Sequence, residues 1–161
     1  MSKITKSLEP MVSYKIIGNQ GEQEIINLIV CPNCSNKLML LPESYPMYDL
    51  QCVACSFRAQ VKTSNSDPYN TKNIRGAGWD VMDKVLKAGF LVPPLIINFK
   101  WGIETEEKRE IRLYPFIKRD NLRKRVANIK SDNRVYNMFD YDLVGLVYYT
   151  LFSEQIHKGG N

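Results

Sequence analysis

Long hydrophobic runs are missing from this sequence of 161 residues. The longest apolar stretch, Leu91 to Phe99, is too short to cross a membrane and contains prolines. The segment Met1 to Lys6 also lacks the apolar core of a secretory signal. Together these absences predict a cytoplasmic protein with no membrane partner.

Histidine is nearly absent, and repeats and low-complexity tracts are missing as well. The one histidine, His157, lies far along the chain from the four cysteines. The content of 44% hydrophobic and 11% aromatic residues is typical of a folded globular protein. The length predicts one domain over residues 1–161.

The sequence has no excess of acidic residues, because 22 lysines and arginines face 17 aspartates and glutamates. The resulting net charge of +5 favours a polyanionic partner such as nucleic acid. A basic surface that is merely solvated would explain the same charge.

The four cysteines form two Cys-x-x-Cys pairs, Cys31 with Cys34 and Cys52 with Cys55, separated by seventeen residues. Each pair offers two thiolates from one tight bend, and this spacing is typical of a four-cysteine zinc site. The zinc would be structural, since four thiolates leave no coordination position open. The alternatives are two disulfides or four unrelated buried thiols, which a cytoplasmic location disfavours.

The periodicity of apolar residues predicts an α/β domain. Two short helices, or one broken helix, are expected over Ile4 to Ile29, with a turn at Gly18 to Gly21. Met47 to Gln51 and Phe57 to Thr63 are predicted to pair as a hairpin, with the second cysteine pair at its turn. The later predictions are a loop (Ser64 to Gly78), a helix (Trp79 to Ala88), a hairpin (Pro94 to Trp101 with Glu110 to Ile117), a basic helix (Lys118 to Lys130) and an apolar element of undetermined type (Leu143 to Phe152).

Asp49 and the tripeptide Gln60-Val61-Lys62 flank the second cysteine pair. Side chains alternate along a strand, so Gln60 and Lys62 share one face while Val61 points into the core. Across the hairpin, Asp49 and Gln60 offer oxygen ligands for a hard divalent ion, with the Val61 carbonyl as a further ligand. Lys62 would orient water and stabilise charge at an attacked phosphorus. In the alternative interpretation, Asp49 is a turn residue and Lys62 a solvated strand end.

This block resembles the PD-(D/E)xK nuclease superfamily, with Gln60 where an acid is commonest. The order Asp-x-x-Cys-x-x-Cys, a short bridge and x-Lys is similar to the catalytic domain of DpnI-like and Dam-replacing restriction endonucleases. Those domains also carry an upstream Cys-Pro-Asn-Cys, here Cys31 to Cys34. The resemblance implies a restriction-endonuclease-like fold, with a mixed central sheet flanked by helices and a four-cysteine zinc knuckle inserted in it.

The resemblance also implies a Mg²⁺-dependent type II endonuclease that cuts double-stranded DNA, with catalytic residues Asp49, Gln60 and Lys62. Glu22 could supply a further carboxylate from the first helical region, although a helix surface charge is the alternative for it. The neutral Gln60 would bind the ion less strongly than an acid. A homodimer, a cognate DNA methyltransferase and dependence on DNA methylation are further expectations from the resemblance.

Basic residues cluster between Lys118 and Arg134, interrupted only by Asp120 and Asp132. On one face they would hold phosphates, and DNA binding would then fall steeply with salt. A solvated helix face explains the run equally well. The predicted DNA contacts are Arg123, Lys124 and Arg125 from this cluster, with Lys72 and Arg75 from the loop after the active strand.

Three functional hypotheses follow. The first is the restriction endonuclease, and the second is a zinc-stabilised DNA-binding module that Gln60 has left without catalytic activity. The third is a subunit that only docks another protein, which predicts no salt-dependent affinity for DNA.

Overall fold

The computed structural model describes residues 9–129 and 133–159, with side chains from residue 19 onwards except that of Ile129. The predicted helical positions Ile4 and Leu8, and the basic residue Lys130, lie outside the described residues. Within the described ranges the chain forms two α-helices, α1 (Glu9–Leu28) and α2 (Trp79–Lys87). Its strands there are β1 (Leu38–Leu40), β2 (Leu50–Cys52), β3 (Arg58–Ser64), β4 (Asn73–Gly78), β5 (Leu95–Ile103), β6 (Glu106–Tyr114), β7 (Leu122–Ile129), β8 (Arg134–Asp142) and β9 (Tyr149–His157).

A mixed six-stranded sheet forms the centre of the fold, in the order β1-β2-β3-β5-β6-β9. Strands β3 and β5 are parallel, and the other neighbours in this sheet are antiparallel. A second, antiparallel sheet has the order β4-β8-β7. The predicted α/β class with a mixed sheet is confirmed, although strands far outnumber the two helices over the described ranges.

Strand β5 separates two hydrophobic cores. Leu95, Ile97 and Phe99 pack on one side with α2 and the three-stranded sheet. Ile96 points to the other side and packs with residues of α1 and the cysteine loops. Burial on both faces explains the nearly continuous apolar sequence of this strand. The predicted hairpin is confirmed, since β5 and β6 pair in register and turn at residues 104–105.

Helix α1 runs without a break from Glu9 to Leu28, so the predicted turn at Gly18 to Gly21 is wrong. Pro10 is the second residue of the helix, where its missing N–H has no intrahelical acceptor to lose. Gly21 lies against β3, because a Cβ atom there would stand 2.1 Å from the Oγ1 atom of Thr63. The glycine therefore permits close packing of helix on strand, which offsets its helix-propensity cost of about 1 kcal/mol.

Two further predictions are wrong because the partners of these segments lie far away in the sequence. Residues 118–130 were predicted to be helical, but β7 pairs with β8 and buries Leu122 opposite Tyr141. The predicted loop Ser64 to Gly78 ends in β4, which also pairs with β8. A Cβ atom at Gly76 would lie 2.3 Å from the ring of Phe139, so only glycine permits this approach.

The remaining sequence predictions agree with the structure or are completed by it. Helix α2 matches its predicted helix, and its Trp79 is a buried core residue. The undetermined segment Leu143 to Phe152 contains the start of β9, an edge strand of the large sheet. Over the described residues, no helix combines the length and the apolar character that crossing a membrane requires.

Candidate metal centres

The hairpin of β2 and β3 carries both candidate sites. Its register pairs Leu50 with Ala59 and Gln51 with Arg58. The backbone N–H of Asp49 donates to the Ala59 carbonyl at 3.0 Å, which extends the pairing by one residue. The predicted hairpin is confirmed, and the second cysteine pair lies at its turn.

The four cysteines bring their sulfur atoms together at the end of this hairpin. All four Sγ atoms lie within 4.8 Å of one another, with Cys31 to Cys55 at 3.6 Å and Cys34 to Cys52 at 3.4 Å. These distances exceed the S–S bond of about 2.0 Å in a disulfide. They approach the S···S separation of about 3.8 Å that follows from tetrahedral bonds of about 2.3 Å. The four thiols can therefore hold a metal ion such as zinc.

Amide groups surround the thiols and favour their charged form. The Asn36 side-chain amide donates to Cys34 Sγ at 3.4 Å and lowers the pKa of that thiol to about 6. The Asn33 side chain donates to Cys55 Sγ at 3.4 Å and lowers the pKa of Cys55. Burial raises the pKa of Cys31. Donors of this kind orient thiolate ligands around a metal.

Asp49 is bonded to the backbone of the opposite strand. Its Oδ2 atom accepts a hydrogen bond from the N–H of Val61 at 2.6 Å. The N–H of Gln60 instead donates to the carbonyl of Pro94 at 2.9 Å, on the β5 side of the strand. Because the N–H and C=O of one strand residue point to the same side, the Val61 carbonyl also points towards Asp49. The Val61 carbonyl, predicted as a metal ligand, therefore lies on the side of β3 that faces Asp49.

Gln60 and Lys62 face the space between the two sheets, while Val61 is buried in the core below α1. The Nζ atom of Lys62 donates to the carbonyl of Gly76 in β4 at 3.4 Å. The Oε1 atom of Gln60 accepts a hydrogen bond from the hydroxyl of Tyr141 in β8. The predicted division of faces along β3 is therefore confirmed.

Tyr141 is the site residue that sequence reasoning missed. It lies 81 residues from Gln60 and is fully buried. The only sequence signal is the alternation of aromatic and acidic residues over 139–142, which is typical of a strand with one buried face. That pattern predicts burial of the ring but names no partner for its hydroxyl.

Burial and neighbouring charges shift the pKa values of Glu22, Asp49 and Lys62. Burial raises the pKa of Glu22 to about 7, and the negative charge of Asp49 adds to that rise. Burial also raises the pKa of Asp49, while it lowers the pKa of Lys62 despite the attraction of both acids. Two carboxylates that repel each other in a partly desolvated place would be stabilised by a bound cation.

The oxygen-bearing groups of this site are two carboxyl groups and one backbone carbonyl. Burial and then the charge of Asp49 raise the pKa of Glu22, and the Val61 carbonyl points to the side of β3 on which Asp49 lies. Carboxylate and carbonyl oxygens are the ligands that Mg²⁺ prefers. The structure thus places the charges of Glu22 and Asp49 near Lys62, while the Gln60 side chain is bonded to Tyr141.

The predicted DNA contacts are divided between faces of the three-stranded sheet. Arg123 pairs with Asp142, and Arg125 donates to Asp140 at 2.8 Å. Lys124 lies on the opposite face of β7, with its Nζ atom 4.4 Å from the ring centre of Trp79. The side chains of Lys72 and Arg75 are exposed around β4. The basic cluster thus does not form one continuous face, and acids already accompany two of its arginines.

The bond between Tyr141 and Gln60 gives a test of how the sheets are joined. Tyr141→Phe should lower the free energy of unfolding by about 1–3 kcal/mol, because it leaves the buried Gln60 oxygen without its partner. Thermal melting would measure the loss. The exposed Tyr149 provides the matched control, since Tyr149→Phe should change stability by less than about 0.5 kcal/mol. Equal melting temperatures for both variants would contradict the assigned bond.

No model of a known protein family matches this chain, and a comparison with curated proteins finds no significant similarity.

Proposed function

We propose that this protein is a Mg²⁺-dependent DNA endonuclease of a restriction system. The observation that carries the proposal is the convergence of Glu22, Asp49 and Lys62 beside the carbonyl of Val61. Two acids that resist ionisation next to a half-buried lysine form a charge arrangement typical of metal-dependent phosphodiester hydrolysis.

Glu22 and Asp49 would hold the metal through their carboxylates, with the Val61 carbonyl as a third ligand. Gln60 was expected as a ligand from the sequence, but its Oε1 atom accepts the hydroxyl of Tyr141. We therefore assign Glu22 as the second carboxylate ligand of the metal. Gln60 instead anchors β3 to the three-stranded sheet through Tyr141. Mg²⁺, when bound, would neutralise the charge that develops on the phosphoryl oxygens.

Lys62 would stabilise negative charge at the attacked phosphate and orient the water. Its Nζ atom donates to the carbonyl of Gly76 at 3.4 Å, which orients the ammonium group before a phosphate arrives. Burial lowers the pKa of Lys62, which also makes its proton easier to share with the reacting oxygens.

Zinc in the four-cysteine site would have a structural role, because four thiolates leave no open position for a substrate. Cys52 ends β2 and Cys55 lies just before β3, so the metal would fix the register of the hairpin. That register places Asp49 opposite Gln60 and Val61. In this proposal the zinc site supports catalysis without taking part in it.

The sequence resemblance to DpnI-like and Dam-replacing endonucleases supports the same function. Under the proposal the mixed sheet is a strand-rich variant of the restriction-endonuclease fold, formed by one domain. Double-stranded DNA is the substrate, and a homodimer would place one site on each strand. A cytoplasmic location and a partner DNA methyltransferase belong to the same proposal.

Plasmid digestion tests this function directly. The protein is incubated with Dam-methylated and unmethylated plasmid, with Mg²⁺ and without it. Discrete fragments that need Mg²⁺ support a site-specific endonuclease, and a difference between the two plasmids shows that methylation is recognised. Intact plasmids in every reaction would contradict the proposal.

The second candidate is a zinc-stabilised DNA-binding module without catalytic activity. One observation favours it, namely that Gln60 is neutral and already bonded to Tyr141, which leaves fewer acids for a metal. Under this hypothesis DNA binding persists and falls with salt, while neither plasmid is cut.

Glu22 makes a pH-dependent prediction about stability. Its pKa is about 7 in the folded protein and 4.5 in the absence of shifts, so ionising it costs more in the folded state. Its contribution to stability is fully present below pH 4.5 and is lost as the pH rises through about 7. Without Mg²⁺, Glu22→Gln should therefore melt at a higher temperature than wild type above pH 7, and the difference should vanish in acid.

Glu24 on the same helix provides a control, because its pKa is shifted in the opposite direction and the expected change in stability is opposite in sign. Burial alone would raise its pKa, but the hydrogen bond and charge of Lys100, with the charge of Arg109, lower the pKa overall. Glu24→Gln should therefore lose stability at neutral pH and approach wild type in acid. The melts should use metal-scavenged buffer instead of a chelator, which would also remove zinc. A Glu22→Gln variant less stable than wild type at every pH would refute the charge arrangement.

A further inference from the structure

A groove of about 440 Å³ opens along the β2–β3 hairpin, and Cys55 and Ser56 form its wall on the side of the four-cysteine site. Tyr48, Gln51, Phe57 and Arg58 of the hairpin line it, together with Pro94 before β5. The volume lies within the range of about 300–1,000 Å³ that is usual for small-molecule sites.

The groove continues the row of functional groups along the hairpin. Arg58, Gln60 and Lys62 alternate on β3 and so share one face. Gln51 is paired with Arg58 and lies two residues from Asp49, so it belongs to the same face. Two strand residues span about 7 Å, a step comparable with one nucleotide of an extended nucleic-acid strand. Gln51 lies one such step from Asp49, so a strand whose phosphate lies at the Asp49 site would place its neighbouring nucleotide at this groove.

The lining has the chemistry that nucleobases require. Tyr48 offers an aromatic ring, on which any base can stack, whereas the Phe57 side chain packs against the core that contains Leu50 and Ala59. The Gln51 amide and the Arg58 guanidinium provide hydrogen-bonding groups suited to base edges. A purely anionic ligand would need no aromatic walls, and a purely apolar ligand would leave these polar groups unpaired.

The guanidinium of Arg58 is positioned by Tyr45 and is not paired with a carboxylate of a described residue. Its Nη1 atom donates to the hydroxyl of Tyr45 at 2.8 Å, and its guanidinium lies 5.4 Å from the centre of that ring. Among the side chains that the structure describes, no carboxylate lies within ion-pair distance of Arg58. Arg123 and Arg125, in contrast, are both paired with aspartates.

The backbone before Tyr48 carries a rare conformation. Met47 has a φ of 66°, in the left-handed region that costs a residue with a side chain about 1–3 kcal/mol. This bend separates Tyr45, which holds Arg58, from Tyr48, which lines the groove. Conformations of this kind persist where the surrounding structure imposes them, and they are concentrated at ligand sites.

We propose that the groove lined by Tyr48, Gln51, Phe57 and Arg58 binds the nucleobase next to the phosphate held at Asp49 and Lys62. This inference rests on the proposed function, because it assumes a nucleic-acid strand along the hairpin. It adds a base-binding subsite to a site otherwise described only by its metal ligands and its lysine.

Measurements of oligonucleotide binding at equilibrium test this base-binding subsite independently of DNA cleavage. Fluorescent duplex and single-stranded oligonucleotides are titrated with the zinc-loaded protein in Ca²⁺, and cleavage in Mg²⁺ is measured in parallel. Tyr48→Leu keeps an apolar side chain but removes the stacking surface, so it should weaken binding about 5- to 100-fold. Arg58→Gln should weaken binding and reduce its dependence on salt.

Two exposed residues outside the groove provide matched controls. Tyr149→Leu removes an exposed aromatic ring from β9, and Lys84→Gln removes an exposed charge from α2. Both controls should bind within about twofold of wild type. Melting temperatures and zinc content show that each variant is folded, and Arg58→Gln, a surface change, tests the groove if Tyr48→Leu is unstable.

The results distinguish this inference from the proposed function. Binding that depends on Tyr48 and Arg58 without any cleavage would support the base subsite and reject the nuclease. Cleavage with wild-type binding in both groove variants would support the nuclease and overturn the subsite. A wild-type protein that binds neither oligonucleotide would overturn the subsite as well.

Discussion

Replacing Lys62 with methionine should reduce Mg²⁺-dependent DNA cleavage by at least about 10²- to 10³-fold, the effect of removing one preorganised electrostatic group. Methionine keeps the length and apolar character of the side chain, so the packing around β3 is preserved. The melting temperature should change little, because the burial of the ammonium and its attraction to Asp49 and Glu22 have opposite effects on stability. Initial rates on plasmid and the thermal melt would be measured on the same preparation.

Lys84→Met provides the matched control, since Lys84 is an exposed lysine of α2. It removes the same charge and adds the same side chain away from the hairpin, so cleavage should stay within about twofold of wild type. DNA binding in Ca²⁺ should be retained by Lys62→Met, which separates a chemical role from a role in affinity. Cleavage at the wild-type rate by this variant would remove Lys62 from the mechanism.

Loss of the metal from the four-cysteine site should unfold the hairpin and remove cleavage together. Structural zinc contributes about 10–16 kcal/mol of apparent binding free energy, which equals or exceeds the total stability of about 5–15 kcal/mol of most domains. Cys34→Ser replaces a thiolate whose pKa is lowered by the Asn36 amide with a poorly ionising hydroxyl. We expect the variant to purify with less than one zinc per chain and to melt far below wild type. Elemental analysis and thermal melting would measure both effects.

Val53→Ser is the control for this change. Val53 lies between the ligands Cys52 and Cys55 but is 58% exposed, so its replacement leaves the four thiols intact. Zinc content and melting temperature should remain close to those of wild type. A folded wild-type protein that contains no metal would reject the structural-zinc assignment. So would a Cys34→Ser variant with unchanged stability.

The cysteine site and the hairpin could be predicted because their evidence is local. Two bends with fixed spacing bring Cys31, Cys34, Cys52 and Cys55 within reach of one ion once the hairpin forms. The shared face of Gln60 and Lys62 likewise follows from strand alternation alone. These features involve short stretches of chain, so few alternative arrangements compete with them.

The wrong predictions share one physical cause. Gly21 was expected in a turn, but its packing against Thr63 keeps it inside α1. The basic segment was expected to be helical, but burial of Leu122 opposite Tyr141 makes it a strand. In each case a contact between distant parts of the sequence outweighs a local preference of about 1 kcal/mol or less.

The sequence by itself determined the cluster of four thiols, the hairpin that carries Asp49 and the face shared by Gln60 and Lys62. Only the tertiary structure decided that Tyr141 bonds Gln60, that Glu22 lies in the field of Asp49, and that the basic cluster is divided between two faces. The reason is physical, since ligand spacing and strand alternation act over a few residues. Burial, charge coupling and sheet pairing depend instead on which distant segments the cores bring together.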